Sequence, residues 1–309
     1  MSWPLFRAAF HQRRTAIFWY CVSLVLYAWM TMWFWGEMGP TLAKMMESYP
    51  KEVLVLFGGD KVPFASAGGF MQVEFLGLMW IIIIASAVLV FAVRAFASDI
   101  GSGTMELVLA QPVSRVRVAV TRIVALVVYV LALNLATFLP LRLLGPTYDI
   151  DLGWEGFLVL FALGTLFSLA IGGLGMAFSA MFRDGGKPVA ITSGILLVFW
   201  LADMIANVSE AAEVLDPVNL VTYWQPGIVI NGGDIESAAW WIYAAVALRA
   251  PVGTGQERFD LEGPRLCLGH RVPGVRRRRG GRTPRPSRRA RRVRPPRRST
   301  RQQIRCRRR

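Results

Sequence analysis

The chain has 309 residues, 54% of them hydrophobic, a mean hydropathy of +0.42 and a formal net charge of +15. Its apolar residues gather in uncharged runs of about 20, the length a bilayer crossing requires. A soluble domain is excluded and an all-α, polytopic membrane protein is implied. The charge is uneven: residues 1–248 hold 13 Lys and Arg against 17 Asp and Glu, whereas residues 249–309 hold 22 Arg against 3 acids. Any argument from charge to nucleic-acid binding therefore concerns the tail alone.

At the start, Leu5, Phe6, Ala9 and Phe10 share one helical face and Arg7, His11 and Arg14 another. This predicts an amphipathic helix over residues 1–14, lying on the cytoplasmic membrane surface. The first crossing spans about 15–35, with Trp29, Trp33 and Trp35 clustered at its outer end. An outer loop follows over 36–73. Its piece YPKEVLVLFGG is apolar but too short to cross.

The second crossing covers 75–93 and the third 116–141, with Pro140 at its outer end. The fourth, 156–182, carries Gly172, Gly173, Gly175, Ala177 and Ala180, a face on which helices approach closely and which suits pairing with a second subunit. The turn Arg183-Asp184-Gly185-Gly186-Lys187 leads into the fifth crossing, 188–206, opened by Pro188. Residues 208–236 hold five acids and no Lys or Arg, which places them outside. Within them, NLVTYWQPGIVINGG is aromatic and Gly-rich, suited to packing back against the membrane edge. The sixth run, 237–248, is about half a crossing. The expected fold is five complete transmembrane helices and a truncated sixth.

Chemistry-bearing motifs are scarce. No Gly-x-x-x-x-Gly-Lys-Ser/Thr loop is present, and Gly186-Lys187 is followed by Pro188. The two histidines, His11 and His270, lie outside the crossings, and no carboxylate pair sits within one. An intramembrane protease, a proton relay and a histidine metal centre are all disfavoured. Cys21, Cys267 and Cys306 make no disulfide framework. No catalytic residue, metal or cofactor is assigned.

The one polar passage among the apolar runs is 94–122, RAFASDIGSGTMELVLAQPVSRVRVAVTR. Arg94 on one flank and Arg115, Arg117 and Arg122 on the other place it in the cytoplasm. Thr104 to Ala110 predict a short helix bounded by Gly103 and Pro112. Its one charge, Glu106, stands in the first turn, where a carboxylate is favoured. An apolar cytoplasmic helix of this kind suits docking into a partner's groove.

SGTMELVLAQPVSR resembles the cytoplasmic loop of permease subunits in the second class of ATP-binding-cassette exporters. Those loops show an acidic residue, Gly-Thr-hydrophobic-Glu, a short apolar run, a Pro and Ser-Arg. Here these are Asp99, then Gly103, Thr104, Met105 and Glu106, then Leu107 to Leu109, then Pro112, Ser114 and Arg115. The layout is also similar over residues 1 to about 248: a basic amphipathic start, a long first outer loop, and a re-entrant-like segment before the sixth span. The resemblance implies a permease that pairs with a second permease and with separately encoded ATPase subunits. On it, the loop is the coupling helix, and the first and fifth spans line a path used by alternating access. The expected location is the plasma membrane of a bacterial cell, multi-pass, with the N-terminus cytoplasmic and no nucleic acid among the partners.

The chain departs from that pattern at its end, where such permeases complete a sixth span. Residues 249–309 are rich in Arg, Pro and Gly and contain no Lys, the amino acids of GC-rich codons. They are read as a disordered basic tail produced by a frameshift near codon 248. The competing reading is a membrane-anchored protein whose native tail binds anionic lipid or nucleic acid. The tail has no aromatic interleaving beyond Phe259 and no periodicity to support it.

Overall fold

The computed structural model describes residues 6–7, 10–11, 13–46, 62–63, 65–101, 115–182, 186–206, 217 and 219–248. The chain divides into two compact units, Met1–Arg265 and Leu266–Arg309, and every described residue lies in the first. The Arg-rich tail and the apolar piece YPKEVLVLFGG fall outside the described residues.

Among the described residues there are helices and turns and no strand. Helix α1 is Arg14–Met46. A short α2, Ala67–Met71, passes through a π-helical turn, Gln72–Gly77, into α3, Leu78–Gly101. Helix α4 is Arg115–Leu144, capped by a 3₁₀ turn, Gly145–Tyr148. Then come α5, Trp154–Met181, and α6, Gly186–Ala206. A short α7, Pro226–Ile230, precedes α8, Ser237–Leu248. Five of these helices are long and apolar enough to cross a membrane, so the protein is a polytopic all-α membrane protein.

Two helix bounds carry physical information. Helix α1 runs past Trp35, through Gly36, Gly39 and Pro40, to Met46. Its 33 residues make about 50 Å of helix, well over a hydrocarbon core of about 30 Å. Gly36 lets α1 lie against Tyr148; a Cβ there would stand 2.9 Å from the tyrosine ring. Helix α8 is short, about 18 Å for residues 237–248. It is nonetheless anchored: Tyr243 is fully buried, donates to the Leu220 carbonyl at 2.8 Å and meets Phe167 edge-on.

The helices alternate in direction, which gathers their ends. Arg13, Arg117 and Lys187 lie at the helix ends on one side, the basic end. The turn carrying Asp149, Asp151 and Glu155 and the segment carrying Asp234 and Glu236 lie at the other, the acidic end. Within the crossings, five hydroxyls find partners on their own helix: Thr31 donates to Tyr27, Thr121 to Arg117, Thr137 to Leu133, Ser168 to Gly164 and Thr192 to Pro188 carbonyls. In hydrocarbon no water is at hand, so the carbonyl one turn back satisfies them.

The glycines of α5 correct one expectation. Gly172, Gly173 and Gly175 are buried inside the protomer. A Cβ at Gly172 would stand 2.9 Å from Leu126 and 3.0 Å from Val88, and one at Gly175 would stand 2.7 Å from Leu89. At Gly172 and Gly175 this face is taken up by α3 and α4. The surface left uncovered belongs to α1 and α6: 22% and 17% of their most apolar windows are buried, against 61% for the α2–α3 crossing.

Candidate functional site

Two junctions, one at each end of α3, stand out. The first is at the basic end. Helix α3 delivers the chain into the polar passage and α4 receives it. Asp99 lies in the last turn of α3 and Arg115 opens α4. Gly103, Thr104, Met105, Glu106, Leu107, Pro112 and Ser114 lie outside the described residues.

The base from which that passage springs is built around Phe91. The Arg13 guanidinium donates to the Phe91 carbonyl at 3.1 Å and lies over its ring, 4.6 Å from the centroid. Phe10 packs against the same ring at 6.2 Å, and Tyr129 of α4 stacks on it at 4.7 Å. Phe6 and Phe10 both pack on the core. Two residues further along α3, Ser179 of α5 donates to the Val93 carbonyl at 3.1 Å. The amino-terminal segment, α3, α4 and α5 thus meet just below the passage. Arg13 and Phe91 are 78 positions apart, so no local pattern marks the pair.

The second junction is at the acidic end, where residues 219–233 fold back onto α2 and the π turn. The Gly227 amide donates to Gln72 Oε1 at 2.9 Å. The Gly68 amide donates to Asn231 Oδ1 at 3.1 Å, and Asn231 Nδ2 donates to Ser66 Oγ at 2.8 Å. The backbones touch at Gly68 and Gly227, where a Cβ on Gly227 would stand 2.6 Å from the Gly68 carbonyl oxygen.

Trp224 is driven into the core beside this contact. Its indole stacks on Trp80 at 4.5 Å and 12° and on Phe167 at 5.3 Å and 18°. Its N–H donates to the Leu76 carbonyl at 2.7 Å, while the Trp80 N–H donates to Thr137 Oγ1 at 3.1 Å. Both indoles are therefore buried with their polar atoms satisfied, as a packed interior requires. The aromatic, Gly-rich composition of this segment marked it for packing at the membrane edge. Its partners, Gln72 and Ser66, carried no such mark.

Among the described residues neither junction assembles a reacting group. Among the described residues no set of three or more His, Cys, Asp or Glu is placed to hold a metal ion. What the arrangement does is connect: each junction ties one end of α3 to several other elements.

Comparison with known proteins bears on residues 10–231, which match the family model described as ABC-2 family transporter protein. That stretch includes Arg13 and Phe91 of the first junction and residues 219–231 of the second, and it ends before α8. No curated protein and no solved structure matches the chain.

Proposed function

The chain belongs to the ABC-2 family of transporter proteins, and from that premise we propose that it is the permease half of an ATP-driven exporter, coupled to its ATPase through residues 99–115. Family membership makes it a multi-pass membrane transport subunit that works with an ABC ATPase. Export as the direction, and coupling through this loop, are the proposal. The single observation that carries it is the family match over residues 10–231, which contains the whole of the loop and the two helices that hold it.

On this reading the basic end is cytoplasmic and the membrane is the plasma membrane of a bacterial cell. The segment carrying Met105, Glu106 and Leu107, between Gly103 and Pro112, is what meets the ATPase. Asp99, Thr104, Ser114 and Arg115 complete the loop. Nucleotide-driven movement of the ATPase pushes this segment, and α3 and α4 carry the displacement into the membrane. ATP hydrolysis belongs to the partner. The working unit contains a second permease, a copy of this chain or a relative, and the least covered helices, α1 and α6, face it across the path.

The test is Glu106→Arg. One exposed charge has little effect on folding, within about 0.5 kcal/mol. The variant is expected to insert and purify as wild type, yet to lose co-purification of the ABC ATPase from native membranes and the associated ATP hydrolysis by tenfold or more, about 1.4 kcal/mol of binding. Retention of both at wild-type level would overturn the assignment of the loop.

A further inference from the structure

Gln72–Gly77 leaves the α-helical path of the helices on either side. A π turn holds one more residue than the α turns beside it, and such turns collect at functional sites. Here the path depends on Gly77: a Cβ there would stand 2.5 Å from the Gln72 carbonyl oxygen. Side chains from two other elements donate to the carbonyls of this turn. Tyr27 of α1 donates its hydroxyl to Glu74 at 3.1 Å, and Trp224 donates its indole N–H to Leu76 at 2.7 Å. The Gln72 side chain adds the bond to the Gly227 amide.

A helical carbonyl can accept from its own helix and from a side chain at once, so these two donors do not by themselves exclude an α path through the turn. Recovering that path turns α2 against α3 by about 100°, the rotation of one residue, and carries Phe70 away from Phe34 and Trp35 of α1. Such a turn carries Gly68 and Gln72 away from Gly227. The Gly68–Gly227 contact is backbone on backbone and has no long side chain to absorb the movement. The attachments of α1 and of residues 219–231 are therefore lost together or kept together.

We propose that Gln72–Gly77 is a two-state hinge: in its π form it fastens α1 and the segment 219–231 to the α2–α3 crossing, and in its α form it releases both. Its role in transport rests on the permease reading above, which makes this the outer end of the path and the hinge a gate for release. The hinge itself is a property of the protomer and is testable without a substrate.

The experiment is amide hydrogen exchange by mass spectrometry on the full chain in lipid nanodiscs, for wild type, Tyr27→Phe, Trp224→Phe and Trp29→Phe. Tyr27→Phe removes a donor whose bond is to the π turn, not to residues 219–231. It is expected to speed exchange about three- to tenfold, the loss of one hydrogen bond, in both 72–77 and 219–233. Trp224→Phe is expected to do the same in both. Trp29→Phe, which removes a bond from α1 to Tyr148, is expected to leave both unchanged. Faster exchange confined to 72–77 in Tyr27→Phe would overturn the hinge, as would a rise that also includes residues 160–171 of α5. Since no ATPase is present, a failure here leaves the Glu106→Arg test untouched, and a failure there leaves the hinge standing.

Discussion

A Cβ placed on Gly68 would meet the Gly227 carbonyl oxygen and the Asn231 side chain. One placed on Gly194, within α6, would meet nothing within 4 Å. The same substitution is therefore expected to have opposite signs at the two sites. Gly68→Ala forces the backbone contact apart and strains the bonds from Asn231 and Gln72 around it. The cost expected from overpacking is about 1–3 kcal/mol. Gly194→Ala removes only the conformational freedom of the unfolded chain and is expected to stabilise by about 0.5–1 kcal/mol. Thermal unfolding of the two variants in the same detergent measures both. Equal shifts, or a Gly68→Ala protein as stable as wild type, would show that residues 219–233 do not dock as described. Trp224 explains why the contact matters: its ring pairs with Trp80 and Phe167 in the core, and each such pair adds about 0.5–1.5 kcal/mol beyond burial. The position of Gly227 thus fixes the register of a large buried side chain three residues away.

Among the elements, α5 behaves as the spine of the protomer. Its glycine face receives Val88 and Leu89 from α3 and Leu126 from α4. Gly172→Leu is expected to destabilise the protomer itself by at least about 1–3 kcal/mol, seen as early thermal aggregation in detergent, before any change in association between copies. A variant that melts as wild type yet no longer associates would return that face to the subunit interface. This is where the sequence was least legible. Small residues at helical spacing say that something approaches closely, but not whether it belongs to the same chain. The crossings were legible because hydrocarbon demands a long uncharged run wherever a helix passes. The course of α1 beyond Trp35 was not: residues 36–73 read as an outer loop, yet Gly36 seats Tyr148 and Pro40 lies within the helix. The π turn left no local signal either. Gly77 in QVEFLGLMW looks like any packing glycine, and the bond that uses Gln72 joins positions 155 apart. The loop motif at 99–115 could be read as one unit because its residues are contiguous; residues 102–114 of it lie outside the described residues.

At the scale of the whole protomer, α3 joins the two proposed working parts. Its 24 residues make about 36 Å of helix, with the loop at its basic end and the π turn at its acidic end. On the proposed reading, displacement of the loop would reach the hinge along one continuous helix, held by Phe91 and Ser179 contacts at the start and by Trp80 near the finish. A path needs walls, however, and the buried cluster around Trp80, Phe138 and Phe167 fills the middle of the protomer. The remaining surface for a path is the outside, where α1 and α6 keep most of their apolar side chains uncovered. Leu197 and Leu201 of α6 are 55% and 43% exposed; Leu158, on the first part of α5, is 59% exposed. If α6 faces a second permease, exposure at Leu197 and Leu201 is not exposure to lipid, whereas exposure at Leu158 is. Single cysteines at these positions distinguish the two, once Cys21, Cys267 and Cys306 have been replaced. Copper-catalysed oxidation in membranes is expected to yield a cross-linked permease pair from Leu197→Cys or Leu201→Cys and monomer from Leu158→Cys. Cross-linking from Leu158→Cys alone would move the interface to α5 and overturn the placement of the path between α1 and α6.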